Sequence, residues 1–270
     1  MLERPSQSNS ARLGAGQLRN LDSGGLQGIA KGATVLRLLA RHSRGLSLRE
    51  IARMTEIPLA TVQRVVTALN KENLVISVSR NGGVRLGPGL IPLAAAVQGS
   101  SLAEWAHPFV SKIANEANET TDLSLFDRDK AVVIAQYTGN QELRAVSVVG
   151  DSLPLYCTAS GKAVLSALPD GELRKLRRTL HLVPMTKNTI VSWEKLDREI
   201  AKIRETGVAF DVEEHRIGIA GAAIAITGPA GEYAAVGIKA PTHRLLERQQ
   251  SITRTLAEHC QALQRHLQIC

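Results

Sequence analysis

The chain has 270 residues, and 44% of them are hydrophobic. This length and composition suit one large core or, more commonly at this size, two domains. The longest apolar run, residues 217–226, is about half as long as a membrane-spanning helix requires, so we predict no transmembrane helix. Residues 1–26 lack the apolar core of a secretory signal and are rich in Ser, Gly, Asn, Gln and Arg, which predicts a flexible tail.

The net charge of +8 is concentrated in the first part of the chain. Residues 1–100 contain 13 Lys or Arg against 5 Asp or Glu, whereas residues 101–270 contain 20 of each kind. A localised positive charge favours a polyanion such as DNA, RNA or an anionic membrane surface, because contacts to phosphates release counterions. A basic surface that only keeps the protein in solution is the alternative.

Three short helices are indicated in the first hundred residues. Residues 31–41 carry the apolar stripe of an amphipathic helix. Ser47 and Glu50 form the ends of a capping box, which predicts the start of a second helix. Pro58 suits the first turn of a third helix, which we expect to end near Glu72. The apolar positions expected to face a common core are Val35, Leu36, Leu39, Leu48, Ile51, Ala52, Val62, Val65, Val66 and Leu69.

After the third helix the hydrophobic period changes to two. Residues 74–78 and 84–86 flank a Gly-rich turn, which predicts a β-hairpin with Arg80 and Asn81 at its tip. Three helices and a basic hairpin are the plan of a winged helix-turn-helix domain, here residues 27–88, whose third helix enters the DNA major groove. Some winged helices bind proteins instead of DNA, and that alternative stays open.

Candidate DNA contacts lie on the polar side of the third helix and at the hairpin tip. Gln63 could form paired hydrogen bonds with adenine and Arg64 with guanine, and Thr61 suits a phosphate. Exposed polar residues on a helix are also often only solvated. The candidate DNA-binding residues are Ala60, Thr61, Gln63, Arg64, Thr67, Arg80 and Asn81.

An apolar, alanine-rich segment at residues 89–100 predicts a linker helix after the hairpin. A helix this apolar is expected to pack on its own domains or on a second copy of the chain. A twofold dimer would place two recognition helices on two half-sites. We therefore expect a homodimer or homotetramer, with packing inside one chain as the alternative.

Residues 101–270 alternate between helical and strand periods, which predicts a second domain. The turn at residues 227–231 joins antiparallel neighbours. The fold class expected for the whole chain is α+β, with a mainly α first domain and a mainly antiparallel sheet in the second. Strands are predicted at residues 121–126, 131–137, 143–149, 208–212, 219–226 and 233–239, and helices at 102–117, after Thr158, at 192–205 and from about Arg244.

Several separate stretches resemble the isocitrate-lyase-regulator (IclR) family of transcription factors. Residues 57–64 resemble the start of the family's recognition helix, and residues 84–88 resemble its wing exit. Residues 153–163, 186–190 and 207–215 resemble its effector-domain signatures in order and spacing. Any one of these stretches would be weak evidence, but the set in register is specific.

The resemblance implies a GAF-like α/β effector domain that binds small organic acids or related metabolites, in dimers or tetramers. Residues 159–161 open a helix in the corresponding pocket, and free N–H groups at a helix start suit a carboxylate. Asp211 could orient a hydroxyl group or a cation, and Lys239 could pair with a ligand acid. The effector-binding residues carried over from the family are Ala159, Ser160, Gly161, Asp211, Gly221, Gly237 and Lys239.

The sequence departs from the family pattern at three of these positions. Family members often carry Cys where Gly221 stands, and small hydroxyl residues are common where Gly237 and Lys239 stand. A glycine enlarges the pocket and a lysine adds charge, which favours a bulkier acid than glyoxylate or pyruvate. A Lys239 that extends into solvent is the alternative, and residues 213–215 can equally cap or solvate a loop.

These observations predict a sequence-specific transcriptional regulator in the cytoplasm, bound to operator double-stranded DNA and not to a membrane, that responds to a small-molecule effector. A nonspecific nucleic-acid-binding protein would use the same basic domain, but the effector-like second domain argues against it. Residues 156–163 do not form a phosphate-binding loop, which would need Gly at Tyr156 and Ser or Thr at Ala163.

An enzyme is the alternative from another class. Cys157 with His181 or His215 could form a nucleophilic pair, or with Asp211 a metal site, but nothing in their spacing places them together. The cysteines are three and widely separated, which argues against a disulfide framework or a zinc ribbon. Isolated Cys and His residues are usually structural, so we predict no catalytic residue, metal or other cofactor.

Overall fold

The computed structural model describes residues 23–78, 83–98 and 102–269. The chain divides into two compact units, Met1–Ala94 and Ala95–Cys270, and each has its own apolar core. Within the described ranges, no helix has both the length and the apolar character needed to cross a membrane.

The first unit consists of three helices followed by a two-stranded antiparallel hairpin, in the predicted order. A further helix follows the hairpin and extends past the boundary between the units. The elements are α1 (Ser23–Ala40), α2 (Leu48–Thr55), α3 (Leu59–Lys71), β1 (Val75–Val78), β2 (Gly83–Leu86) and α4 (Leu90–Gln98).

Local sequence signals account for most of this unit. The Ser47 hydroxyl accepts a hydrogen bond from the Glu50 N–H at 3.2 Å, and the Glu50 carboxylate accepts one from the Ser47 N–H at 2.8 Å, so the predicted capping box is confirmed. These hydrogen bonds lower the pKa of Glu50. The sequence did not reveal the first turns of α1, because residues 24–28 are rich in glycine and have no apolar period. The buried core consists of Val35, Leu39, Leu46, Ile51, Val62, Val66, Val75 and Val84.

The second unit contains one antiparallel sheet of six described strands, in the order β5-β4-β3-β8-β7-β6. Five of the strands, β3, β4, β6, β7 and β8, begin and end within two residues of their predicted positions. The mainly antiparallel α+β class is therefore confirmed. The strands are β3 (Thr120–Asp127), β4 (Lys130–Tyr137), β5 (Ser152–Pro154), β6 (Ala209–Val212), β7 (Ile219–Thr227) and β8 (Tyr233–Pro241).

Helices cover both faces of this sheet. One apolar cluster joins one face to the helices at the two ends of the unit, and it includes Val110, Leu123, Val236 and Leu256. A second cluster joins the other face to the central helices, and it includes Val164, Ile200 and Ala235. The helices are α5 (Leu102–Ala117), α6 (Ala159–Ala167), α7 (Asp170–Thr179), α8 (Trp193–Thr206), α9 (Thr242–Glu247) and α10 (Gln249–Leu267).

Two of the sequence predictions for this unit are wrong. Residues 143–149 do not form a strand, although Ala145 and Ser147 are buried and Val146 is exposed. Buried and exposed residues thus alternate in this segment as they do in a strand, although the segment forms no backbone ladder with a neighbouring strand. The predicted long C-terminal helix is interrupted at Arg248, where α9 ends and α10 begins. The sequence also failed to indicate α7, which contains few apolar residues, and β5, which is only 3 residues long.

Candidate functional site

One side of α3 is polar and exposed. Val62 and Val66 are buried on its inner side, so the helical period turns Gln63, Arg64 and Thr67 outwards. Within the described part of the chain, Gln63 and Arg64 have no hydrogen-bond or ion-pair partner. Their polar groups are therefore available to a ligand such as DNA.

The other predicted DNA contacts are less clearly placed. Ala60 is exposed and Thr61 is half-buried, both in the first turn of α3. The hairpin residues Arg80 and Asn81 lie outside the described residues. The structure thus brings five of the seven candidates together on one helix, which is the element that the sequence predicted to read bases.

The second unit contains a cavity of about 120 Å³ between the start of α6 and one face of the sheet. Asp211, Gly221 and Lys239 lie directly opposite one another on β6, β7 and β8, so their side chains share that face. The cavity brings together six of the seven predicted effector-binding residues, namely Ala159, Ser160, Asp211, Gly221, Gly237 and Lys239.

The start of α6 presents unused hydrogen-bond donors to the cavity. Thr158 caps the helix by accepting a hydrogen bond from the Gly161 N–H at 3.1 Å. The N–H groups of Ala159 and Ser160 precede it, and the first amides of a helix have no acceptor within the helix. Ser160 is 7% exposed, and its hydroxyl has no partner among the described residues. This hydroxyl is therefore free to bond a ligand in the cavity.

Gly161 is the predicted effector residue that does not line the cavity. Its N–H is occupied by Thr158. A Cβ atom at this position would lie 2.5 Å from the Leu155 Cα, which is too close for any other residue type. Gly161 therefore allows α6 to pack against the preceding backbone, a role that the effector prediction did not include.

Two glycines of the sheet let the start of α6 lie close to the strands. A Cβ at Gly221 would be 3.2 Å from the Ala159 Cβ, and a Cβ at Gly237 would be 2.5 Å from the Ser160 Oγ. The absence of a side chain at Gly221 thus serves close packing as well as the cavity. At Gly237 it leaves the space that the Ser160 hydroxyl occupies.

Lys239 is held inside the unit by a buried acid. Its Nζ lies 2.5 Å from the Asp122 Oδ2, and Asp122 is only 1% exposed at its side chain. The Ser147 hydroxyl donates to the same carboxylate oxygen at 2.6 Å and also accepts a hydrogen bond from Lys239. Lys239 therefore does not extend freely into solvent. Asp122 and Ser147 are not among the residues predicted for this site, although an acid inside the apolar β3 pattern is a signal.

Asp211 is a buried carboxyl group on the opposite side of Gly221. Burial raises its pKa to about 7, the neighbouring Glu214 carboxylate adds to the rise, and a hydrogen bond from the Glu214 N–H opposes it. Burial, with help from Arg216 and Lys239, lowers the pKa of His215. His215 and the exposed Arg216 also line the cavity. The acids of the lining, Asp211 and Asp151, both accept backbone hydrogen bonds, whereas the side chains of Ser160, His215 and Arg216 have no hydrogen-bond or ion-pair partner among the described residues.

Lys162 forms a buried ion pair behind the cavity. Its Nζ lies 2.5 Å from Glu214 and 3.2 Å from Glu199. Burial raises the pKa of Glu214, and the Lys162 charge opposes that rise. Glu214 is therefore a structural partner of Lys162 and does more than solvate a loop. No sequence pattern indicated this pairing, because Glu199 and Glu214 are distant from Lys162 along the chain.

The arrangement offers little support for a catalytic cysteine. Cys157 is fully buried, and burial together with the nearby Asp211 and Glu214 carboxylates raises its pKa to about 12. A thiol with such a pKa is not a nucleophile at neutral pH. His181 is exposed on the surface, and the described residues include no group of three or more His, Cys, Asp or Glu side chains arranged to hold a metal ion.

Comparison with known protein families matches both units. Residues 28–77 match the model of the IclR helix-turn-helix domain. Residues 94–265 match the model described as the C-terminal part of the bacterial transcriptional regulator IclR. The two matches follow one another along the chain.

Individual proteins agree with these matches. The chain is 41% identical to the HTH-type transcriptional regulator Rv1719 of Mycobacterium tuberculosis, over 87% of this chain and 90% of that one. It is 34% identical to the HTH-type transcriptional regulator TtgV of Pseudomonas putida, over 87% and 90%. The solved structure of an IclR transcriptional regulator from Alicyclobacillus acidocaldarius is 26% identical, with a TM-score of 0.73 and coverage of 89% of this chain and 98% of that one. The chain therefore belongs to the IclR family of bacterial transcriptional regulators.

Proposed function

We propose that the chain binds an operator through the exposed side of α3, and that a small organic acid in the cavity of the second unit changes this binding. The observation that carries the effector part is the Ser160 hydroxyl at the cavity, which has no hydrogen-bond partner among the described residues. This hydroxyl is free to donate a hydrogen bond to a ligand. A hydrogen bond to a charged group contributes roughly 1.5–3 kcal/mol.

An acid fits the donors that surround this hydroxyl. The N–H groups of Ala159 and Ser160 lie at the positive end of α6, where a carboxylate is stabilised. Arg216 lines the cavity and makes no ion pair with a described residue. The cavity of about 120 Å³ limits the effector to a small molecule. These features support the acid class, with Ala159, Ser160, Asp211, Gly221, Gly237 and Lys239 around it.

The same proposal includes a homo-oligomer. Ile91 and Leu93 of α4 are 69% and 57% exposed in the single chain, and a second copy would cover them. A twofold pair would present two α3 helices to two half-sites of an operator. The buried Cys157 thiol favours a binding protein over an enzyme. A protein that binds the bacterial chromosome works in the cytoplasm, so the proposal includes that location.

The proposal is tested with labelled DNA from the promoter of the chain's own gene and a scrambled fragment of equal length. We expect tighter binding to the promoter fragment, a steep loss of affinity with salt, and a change of affinity when one organic acid is added. Equal affinity for both fragments at every salt concentration would contradict operator recognition.

Replacing Arg64 by alanine is expected to weaken operator binding by about 1–3 kcal/mol, if its guanidinium reads a base. Binding to the scrambled fragment should change less, because base contacts are lost only on the operator. Fluorescence anisotropy titrations give both affinities. The matched control is Arg198→Ala, which removes an exposed arginine of α8. An operator loss no larger than that of the control would exclude Arg64 from base reading.

Replacing Ser160 by alanine is expected to weaken effector binding about tenfold, since a hydrogen bond to a charged group contributes roughly 1.5–3 kcal/mol. Without effector, the variant should be as stable as the wild type, because the hydroxyl has no partner to lose. Thermal unfolding with a panel of organic acids measures both effects. In the control Ser166→Ala, the lost hydroxyl donates to the Ala163 carbonyl and lies later in the same helix. Equal stabilisation of Ser160→Ala and the wild type by the same acid would refute the assignment.

A further inference from the structure

Asp211 and Lys239 both line the cavity, but their charged groups have different partners. Asp211, Gly221 and Lys239 form one row across β6, β7 and β8. Neighbouring strands are about 4.8 Å apart, so the Cα atoms of Asp211 and Lys239 are roughly 10 Å apart across the glycine. A small ligand lying over Gly221 can therefore contact the start of α6 with one end and Lys239 with the other.

The positive charge of Lys239 is already matched. Asp122 receives the Lys239 ammonium at 2.5 Å and the Ser147 hydroxyl at 2.6 Å on one carboxylate oxygen. The Gln136 side-chain amide donates to the other oxygen at 3.1 Å. Asp122 is thus surrounded by donors and is buried at the back of the cavity, while Lys239 and Ser147 form the lining.

One N–H of Lys239 is left for a ligand. An ammonium group has three donors, and Asp122 and Ser147 account for two of them. A ligand carboxylate at this position would lie within a few ångströms of the buried Asp122 carboxylate, and like charges repel strongly where water is excluded. A carbonyl or hydroxyl oxygen accepts the same N–H without that repulsion.

We propose that Lys239 determines effector specificity by donating a hydrogen bond to a neutral oxygen at its end of the cavity and disfavouring a second carboxylate. The effector is then a monocarboxylic acid that carries a carbonyl or hydroxyl oxygen at its other end. This inference rests on the proposed function, in which the acid group of the effector binds at the start of α6. It replaces the expectation that Lys239 itself pairs with the ligand acid.

Acids of matched shape test this inference by calorimetric titration of the full chain. The first set is 4-oxopentanoate, succinate and pentanoate, and the second set is longer by one methylene group: 5-oxohexanoate, glutarate and hexanoate. Within at least one set, we expect the oxo acid to bind at least tenfold more tightly than the diacid and more tightly than the alkanoate.

Two variants locate the cause. Asp122→Asn leaves the Lys239 charge unbalanced, so the ratio of oxo acid to diacid affinity should shift at least tenfold towards the diacid. The double variant Asp122→Asn with Lys239→Met removes both charges and the N–H donor, so it should lose the preference for the oxo acid over the alkanoate. The double variant keeps the test available if the single variant does not fold.

The outcomes separate this inference from the function on which it rests. A diacid that binds the wild type as tightly as the oxo acid, or an affinity ratio that Asp122→Asn leaves unchanged, would overturn the role of Lys239 and leave the acid-binding cavity intact. Failure of every acid in both sets to bind the wild type would overturn the acid class of effector, and this inference with it. Neither result would bear on the proposal that α3 binds an operator.

Discussion

Replacing Lys162 by methionine is expected to lower the free energy of unfolding of the second unit by about 3–5 kcal/mol, because it leaves a buried acid without its counterion. The Lys162 side chain is 1% exposed, and Glu214 and Glu199 lie 2.5 Å and 3.2 Å from its Nζ. The second carboxylate oxygen of Glu214 is buried and has no partner among the described residues. Methionine retains most of the side-chain volume, so the loss reports the ion pair and not a cavity.

Urea unfolding followed by circular dichroism at pH 7 measures this loss. The matched control is Lys175→Met in α7, where the lysine is 74% exposed and pairs with Glu172 at 2.7 Å. An exposed pair contributes less than about 1 kcal/mol, so the control should change stability little. Adding Glu214→Gln to Lys162→Met should restore part of the loss, since the unpaired charge is removed. Equal losses for Lys162→Met and the control would show that the buried pair does not stabilise the fold.

A decrease in stability between about pH 4 and pH 7 is the second expected result. Burial raises the pKa of Asp211 from 3.8 to about 7 in the folded chain. Between these values the folded state binds more protons at this group than the unfolded state does, so the free energy of unfolding falls as the pH rises. The contribution of Asp211 is fully present below about pH 4 and is lost above about pH 7. It amounts to something on the order of 4 kcal/mol.

Asp211→Asn isolates this contribution, because asparagine does not titrate and its carbonyl oxygen can still accept the hydrogen bond from the Glu214 N–H. Relative to the wild type, the variant should become more stable as the pH is raised from 4 to 8. Chemical unfolding at several pH values measures the difference. Asp129→Asn, at an exposed position in the β3–β4 turn, is the control and should follow the wild-type curve. Parallel curves for Asp211→Asn and the wild type would disprove a raised pKa at Asp211.

Many of the helix ends could be predicted from short stretches of sequence. The capping box at Ser47 starts α2, and Ser192 and Gly207 bound α8, with Gly207 in the left-handed conformation that favours glycine. Such signals work because the interacting groups are within a few residues of each other. Helix α7 was not predicted, because it contains few apolar residues and therefore gives no clear local signal.

The cavity shows a different division between sequence and structure. Family resemblance predicted that Ser160 and Lys239 contact a ligand, and the structure brings both to one cavity. The resemblance did not indicate Asp122 or Ser147. Both residues bond to Lys239, so the positive charge of Lys239 is balanced and not free. The resemblance also placed Gly161 among the effector-binding residues. Its close contact with the Leu155 backbone is a packing feature.

By itself, the sequence determined the winged helix and the polar side of α3, since helical period, caps and charge are properties of neighbouring residues. Only the tertiary structure decided which charges meet. Lys162 and Glu214 are 52 residues apart, and Lys239 and Ser147 are 92 apart. Their pairing depends on strand register and on how α6 packs on the sheet. Burial then strengthens the charge interactions of these groups and raises the pKa of Asp211, and no local pattern in the sequence records burial.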